Sequence, residues 1–220
     1  MISPVKVKVC GITRREDVQA AAEAGVDAVG FIVGVPSSPR NLPLEEAKAL
    51  IREAPVSVVK VLVTVPKDLD ATARCLEASG ADALQVHGLT PGEAREVRKA
   101  FPEARLIGVF HVDSAGKVAS LREASECFDA VVTDTFTSGQ HGGTGLTHDW
   151  GLSRQLRDAI YPKPLILAGG LTPENVAEAA RVVRPYAVDV SSGVEASPGV
   201  KDREKLFRFV ANARRVKAWS

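Results

Sequence analysis

Short runs rich in β-branched residues alternate with amphipathic stretches along the whole chain. The apolar runs read VKVKVCGI (5–12), AVGFIV (28–33), SVVKVLVTV (57–65), ALQVHG (83–88), RLIGVFHV (105–112), AVVTDT (130–135), PLILAG (164–169) and AVDVSSG (187–193). Their length and composition predict buried strands. Between them apolar residues recur at helical spacing, as in Ala47, Leu50, Ile51 and Ala54. Val176, Ala179, Ala180 and Val183 repeat the spacing, and so do Leu206, Phe209, Val210 and Ala213. Thr13-x-x-Glu16 and Thr90-x-x-Glu93 have the form of capping boxes, the second with Pro91 at the first helical position. Thr172-Pro173 marks a further helix start, and Gly25 and Gly80 fall where helices should stop. There is also an internal echo. AEAGVDAVGF and EASGADALQVH both run from a helix end through glycine to Asp-Ala and a strand, and CFDAVVTD follows them without the glycine.

Eight strand–helix units in 220 residues predict an α/β fold, a single-domain (β/α)8 TIM barrel spanning 1–220. An open doubly wound sheet is the competing arrangement. Against it, no GxGxxG follows the first strand, and distinctive polar residues end many strands instead of clustering at one switch point.

Composition narrows the function classes. Hydrophobic residues make up 45% of the chain, enough for one sizeable core, and no linker-like composition divides it. Lys and Arg total 28 against 27 Asp and Glu, a net charge of +1, so no broad field exists to grip nucleic acid or an anionic membrane. No apolar run approaches the roughly 20 residues of a membrane span. The opening MISPVKVKVCGI lacks a basic segment followed by an apolar one, so a cytoplasmic location is expected. Cys10, Cys75 and Cys127 are odd in number, widely spaced and outside any CxxC. That pattern argues for a reducing compartment and against a disulfide framework or a zinc site. Cys75 and Cys127 fall in predicted helices and read as small core residues.

In an eight-stranded barrel the chemistry lies at the C-terminal ends of the strands. Those ends carry Cys10 after the first strand, Arg40 in the loop after the second, His87 after the fourth, Asp134 after the sixth, Gly169-Gly170 after the seventh, and Ser191, Ser192 and Gly193 after the eighth. Glycines after strands 7 and 8 let backbone N–H groups face a ligand, which is where this fold commonly holds phosphate. Either turn alone is equally well a tight connection; the pair favours a phosphate-bearing small molecule. The glycine-rich loop 136–150, with Gly139, Gly142, Gly143 and Gly145, is long for this chain and reads as a substrate cover. Strand alternation sets Lys8 and Cys10 on one face, and Asp189 and Ser191 on the corresponding face of the adjoining strand. A buried Lys8–Asp189 pair is expected, first of all as a structural ion pair, with the lysine also able to lower the Cys10 thiol pKa. Asp134 admits two readings of equal weight, an acceptor that anchors a loop or a general acid.

The assembled segments resemble the phosphoribosylanthranilate isomerase family of tryptophan biosynthesis. The motifs are KVCGIT (8–13) with Glu16-Asp17, GFIV…SPR (30–40), QVHG (85–88), TDT…GGTG…DW (133–150), LAGGLTPENV (167–176) and VDVSSGVEASPGVKD (188–202). The resemblance implies an Amadori rearrangement with Asp134 as general acid and Cys10 as general base, and with no metal or cofactor. It also implies that Arg40 faces the anthranilate, while His87 is as readily a buried, hydrogen-bonded histidine as a functional one. Together the two lines of reasoning give a substrate-contacting set of Arg40, His87, Gly143, Gly169, Gly170, Asp189, Ser192 and Gly193. The oligomeric state is left between monomer and homodimer. Other classes to be weighed are another phosphate-binding barrel isomerase or epimerase, and a barrel kept only as a binding module. The epimerase would want paired metal-ligating His and Asp at strand ends, and the binding module would have lost the acid and the base.

Overall fold

The structure is a computed structural model that describes residues 4–112, 114–134 and 149–218. Eight strands form the barrel: β1 (Lys6–Val9), β2 (Ala28–Val33), β3 (Val59–Thr64), β4 (Ala83–Val86), β5 (Leu106–His111), β6 (Ala130–Asp134), β7 (Leu165–Leu167) and β8 (Ala187–Val190). The helices that follow them are α1 (Arg15–Ala24), α2 (Leu44–Glu53), α3 (Leu69–Ser79), α4 (Pro91–Ala100), α5 (Val118–Ser125), α6 (Trp150–Ile160), α7 (Val176–Val183) and α8 (Arg203–Arg214). Each strand pairs in parallel with the next, and β1 pairs with both β2 and β8, which closes the sheet. All eight apolar runs therefore contain a strand, which fills the run at 28–33 and is shorter than it in the other seven. β7 stops at Leu167 because Gly169 and Gly170 turn the chain with φ of 89° and 64°.

Alternation along the strands separates two apolar environments. Val7, Val9, Phe31, Leu84, Leu106 and Leu165 belong to the large shell packed against the helices. The opposite faces fill the barrel, with Val61, Val63 and Ala83 beside Cys10, and Val109, Val132, Ile166 and Ala187 in a second group. Two glycines make room for neighbours. A Cβ at Gly108 would lie 2.6 Å from the Phe128 ring, so the bare strand is what lets that ring pack onto it. A Cβ at Gly30 would lie 2.9 Å from the Cys10 sulfur.

The echo in the sequence has a physical cause at the base of the barrel. The Asp27 carboxylate accepts from the Val7 N–H at 2.8 Å, while the Asp27 N–H donates to the Val7 carbonyl at 2.8 Å. Asp82 forms the same reciprocal pair with Lys60, and Asp129 forms it with Leu106. In each case an aspartate preceding an even-numbered strand ties down the start of the strand before it. Where a fourth aspartate would stand, Tyr186 makes only the backbone half, to the Leu165 carbonyl.

Helix ends follow the sequence in part. Gly25 and Gly80 end α1 and α3 with φ of 77° and 71°, and Thr90 and Glu93 cap each other reciprocally at the start of α4. The box expected at Thr13 does not form; α1 begins at Arg15, and the Thr13 hydroxyl donates to the Gly199 carbonyl instead. Thr172-Pro173 opens a turn, not a helix. The Asn175 side chain accepts from the Thr172 N–H there, and α7 starts at Val176. Cys127 lies past the end of α5 instead of within a helix. Among the described residues no helix is long and apolar enough to cross a membrane.

Candidate active site

Cys10 follows β1 at the C-terminal face, 8% exposed, with its N–H bound to the Val190 carbonyl at 2.8 Å. One pleat below it, Lys8 donates to the Asp189 carboxylate at 2.7 Å. The strand register sets the two opposite each other, and both side chains are buried. Burial pushes the Asp189 carboxyl up even with Lys8 beside it. Burial also works against the Lys8 charge, but Asp189 and Cys10 together hold the ammonium above its ordinary value. For Cys10 itself burial is the largest influence and pushes the thiol up; Lys8 and Lys201 pull the other way without reversing it. Lys8 does pull the thiol down, as the sequence suggests, but desolvation outweighs it and the net shift is upward. Among the described residues, the second oxygen of Asp189 and the Ser191 hydroxyl are buried without a hydrogen-bond partner.

Beside Cys10 lies a second set of buried charges. Arg40 grips Glu195 through two nitrogens, Nε at 2.7 Å and Nη2 at 2.6 Å. Lys201 donates to the same carboxylate at 2.8 Å, to the Cys10 carbonyl at 2.7 Å and to the Ser191 carbonyl at 3.2 Å. Burial alone would raise the Glu195 pKa, but Arg40 and Lys201 bring it below the usual glutamate range, so it stays ionised. Glu195 and Lys201 face each other across the short antiparallel pair Glu195–Ser197 and Val200–Lys201 that follows β8. Neither residue was singled out in the sequence. Both stand in VEASPGVKD, and only the hairpin register, invisible in spacing, brings them together under Arg40.

The two glycine turns touch. Gly193 lies in the 3-10 turn Ser192–Val194 after β8, and a Cβ there would stand 1.9 Å from the Leu171 carbonyl oxygen after β7. Only glycine permits that approach. Gly169, Gly170, Ser192 and Gly193 are thereby gathered at one place on the rim.

Asp134 ends β6 half-buried, in register with His111, whose ring nitrogen lies 3.3 Å from the Asp134 carbonyl. His87 lies 3.1 Å from the Gln85 amide, ring nitrogen to nitrogen, and its backbone N–H donates to the Thr64 carbonyl. Gly143 and most of the glycine-rich loop lie outside the described residues. Among the described residues no group of three or more His, Cys, Asp or Glu is placed to hold a metal ion.

The family model for N-(5'-phosphoribosyl)anthranilate isomerase matches residues 7–212. The chain belongs to this family. A phosphoribosylanthranilate isomerase of Haloferax volcanii is 44% identical over 210 residues, covering 95% of this chain and 93% of that protein. The solved Thermotoga maritima phosphoribosylanthranilate isomerase superposes with a TM-score of 0.85 at 37% identity, over 96% of this chain and all of that one. A further isomerase structure, in complex with reduced 1-(o-carboxyphenylamino)-1-deoxyribulose 5-phosphate, gives a TM-score of 0.82 at 36% identity, covering 96% and 100%.

Proposed function

We propose that this chain isomerises N-(5'-phosphoribosyl)anthranilate to 1-(o-carboxyphenylamino)-1-deoxyribulose 5-phosphate in tryptophan biosynthesis. The observation that carries the reading is the family match across residues 7–212, joined to a barrel whose rim holds Cys10, Asp134 and the paired glycine turns. The glycine turns hold the phosphate through backbone N–H groups, aided by the Ser192 hydroxyl. Asp134, as general acid, protonates the ring oxygen, and the C1–O bond breaks to leave an iminium. Cys10, as thiolate, takes the C2 proton and becomes a thiol. The resulting enolamine tautomerises to the ketone, so no atom is gained or lost.

The raised Cys10 thiol must be reconciled with this role. Lys8 and Lys201 already favour the thiolate. The cationic iminium adds a third positive charge beside it at the moment the base is needed. Asp189, whose second oxygen meets no donor among the described residues, is placed to accept from a sugar hydroxyl. Arg40 meets the aromatic carboxylate with its remaining N–H groups. The reaction needs no metal or redox cofactor, because only protons move. The three free cysteines fit a reducing, cytoplasmic setting.

The test is direct. Purified protein mixed with phosphoribosylanthranilate should make the substrate's anthranilate fluorescence disappear, in step with enzyme concentration. Fluorescence that decays no faster than in buffer would remove this reading.

A further inference from the structure

We propose that Glu195, locked by Lys201, is a positioning residue that presents the unused edge of Arg40 to the substrate's aromatic carboxylate and sets selectivity for carboxylated amines. The proposal rests on the isomerase reading and adds to it two residues and a specificity.

The geometry leaves Arg40 little freedom. Its stem crosses Gly11 so closely that a Cβ there would lie 2.4 Å from the Arg40 Cδ. Glu195 then takes Nε and Nη2 together, which fixes the plane of the guanidinium as well as its place. Nη1 has no hydrogen-bond partner among the described residues. Glu195 is itself immobilised. Lys201 spends its three N–H groups on Glu195, the Cys10 carbonyl and the Ser191 carbonyl, and its side chain is fully buried. One ammonium therefore ties the backbone of the base, the backbone next to the glycine turn and the carboxylate that aims Arg40.

The charges point the same way. Burial lowers the Lys201 pKa against the pull of Glu195; with both cations charged, Arg40 and Lys201 set two positive charges against the single negative charge of Glu195, whereas Lys8 and Asp189 are one of each. A buried surplus cation favours an anionic partner. Glu195 has two consequences here that oppose each other. It orients Arg40, and it also offsets part of the charge that attracts the carboxylate. The proposal holds that orientation dominates, because a guanidinium left without its fork partner loses the alignment that bidentate recognition requires.

Two ligands separate the possibilities: reduced carboxyphenylamino-deoxyribulose 5-phosphate and its phenylamino counterpart lacking the carboxylate. Their affinities are measured by calorimetry for the native protein, Glu195→Ala, Glu195→Gln, Arg40→Met and the double variants. The native protein should prefer the carboxylated ligand, and Glu195→Ala should shrink that preference by about tenfold or more. Arg40→Met should abolish the preference, and adding a Glu195 substitution to it should change nothing further. In turnover the Glu195 variants should show raised KM with kcat little changed. A general loss of fold would weaken both ligands equally and would not produce this pattern. Glu195→Gln keeps the side-chain shape, so its cycle with Arg40→Met stands even where the alanine variant fails to fold. An unchanged or increased preference in the Glu195 variants, or effects that add to that of Arg40→Met, would overturn the proposal. Native protein that ignores the carboxylate altogether would instead overturn the reading of Arg40 on which it rests.

Discussion

Lys8 and Asp189 meet at 2.7 Å across the seam where the last barrel strand joins the first, both side chains buried. The contact has two consequences. It satisfies charges that the barrel interior would otherwise exclude, and it sets a cation beneath the Cys10 thiol. Lys8→Met leaves the Asp189 carboxylate buried with no partner. That change should cost about 3–5 kcal/mol of unfolding free energy in urea titration. Lys8→Met combined with Asp189→Leu should recover part of the loss, since apolar replacement of both partners removes the unpaired charge. A single variant as stable as the native protein would mean that the pair stabilises nothing.

Cys10 gives a pH dependence whose sign follows from its environment. Burial raises the thiol pKa, so near neutral pH the free protein holds mostly thiol. The working form of a base is the thiolate. Therefore kcat/KM should climb with pH, with its limb on the alkaline side of the ordinary thiol range. Cys10→Ala and Asp134→Ala should each lose turnover by orders of magnitude while retaining the native circular dichroism. For the same reason Cys10, almost enclosed, should alkylate more slowly at neutral pH than the partly exposed Cys75 and Cys127. Faster alkylation of Cys10 would show that the lysines outweigh burial after all.

What the sequence conveyed, and what it withheld, divides along a physical line. Period-two alternation was enough to place Lys8, Cys10, Asp189 and Ser191 on the barrel's inner faces, because a strand permits only two sides. The glycines at 169, 170 and 193 were legible for a similar reason: few other residues tolerate such turns. Thr13 and Thr90 show the limit, since the same four-residue pattern caps a helix at one site and donates to Gly199 at the other. Long-range competition decided between them. The direction of the Cys10 shift was also hidden, because it is a balance between a visible lysine and a degree of burial that only the assembled barrel defines. Glu195 and Lys201 were hidden for a related reason. Their partner Arg40 is 155 residues from Glu195, and nothing local announces the contact.

The aspartate echo predicts separable effects on stability and activity. Asp27, Asp82 and Asp129 each hold an N–H at the first or second residue of a neighbouring strand, at the face opposite the site. Replacing any one by alanine should lower stability by about 1–3 kcal/mol, as expected when a charged acceptor for a backbone N–H is lost. Catalytic constants measured well below the melting point should stay within about twofold of native, because the strand ends bearing Cys10 and Asp134 lie at the far end of the barrel. A large fall in kcat would show that the base of the barrel is coupled to its rim.

Gly193 offers the sharpest check on the phosphate site. An alanine there would bring its Cβ to 1.9 Å from the Leu171 carbonyl oxygen, far inside any real contact, and the obstacle is backbone instead of a flexible side chain. The turns after β7 and β8 must therefore move apart. Because both turns are proposed to bind one phosphate, their separation should matter more for ligand than for fold. Gly193→Ala should weaken inorganic phosphate as a competitive inhibitor and raise KM for phosphoribosylanthranilate by about tenfold or more. Gly116→Ala is the control, since a Cβ at that position meets nothing within 4 Å and the position lies outside the rim set. Native phosphate affinity in Gly193→Ala would show that the paired turns are connections only, and the phosphate would have to be sought elsewhere on the rim.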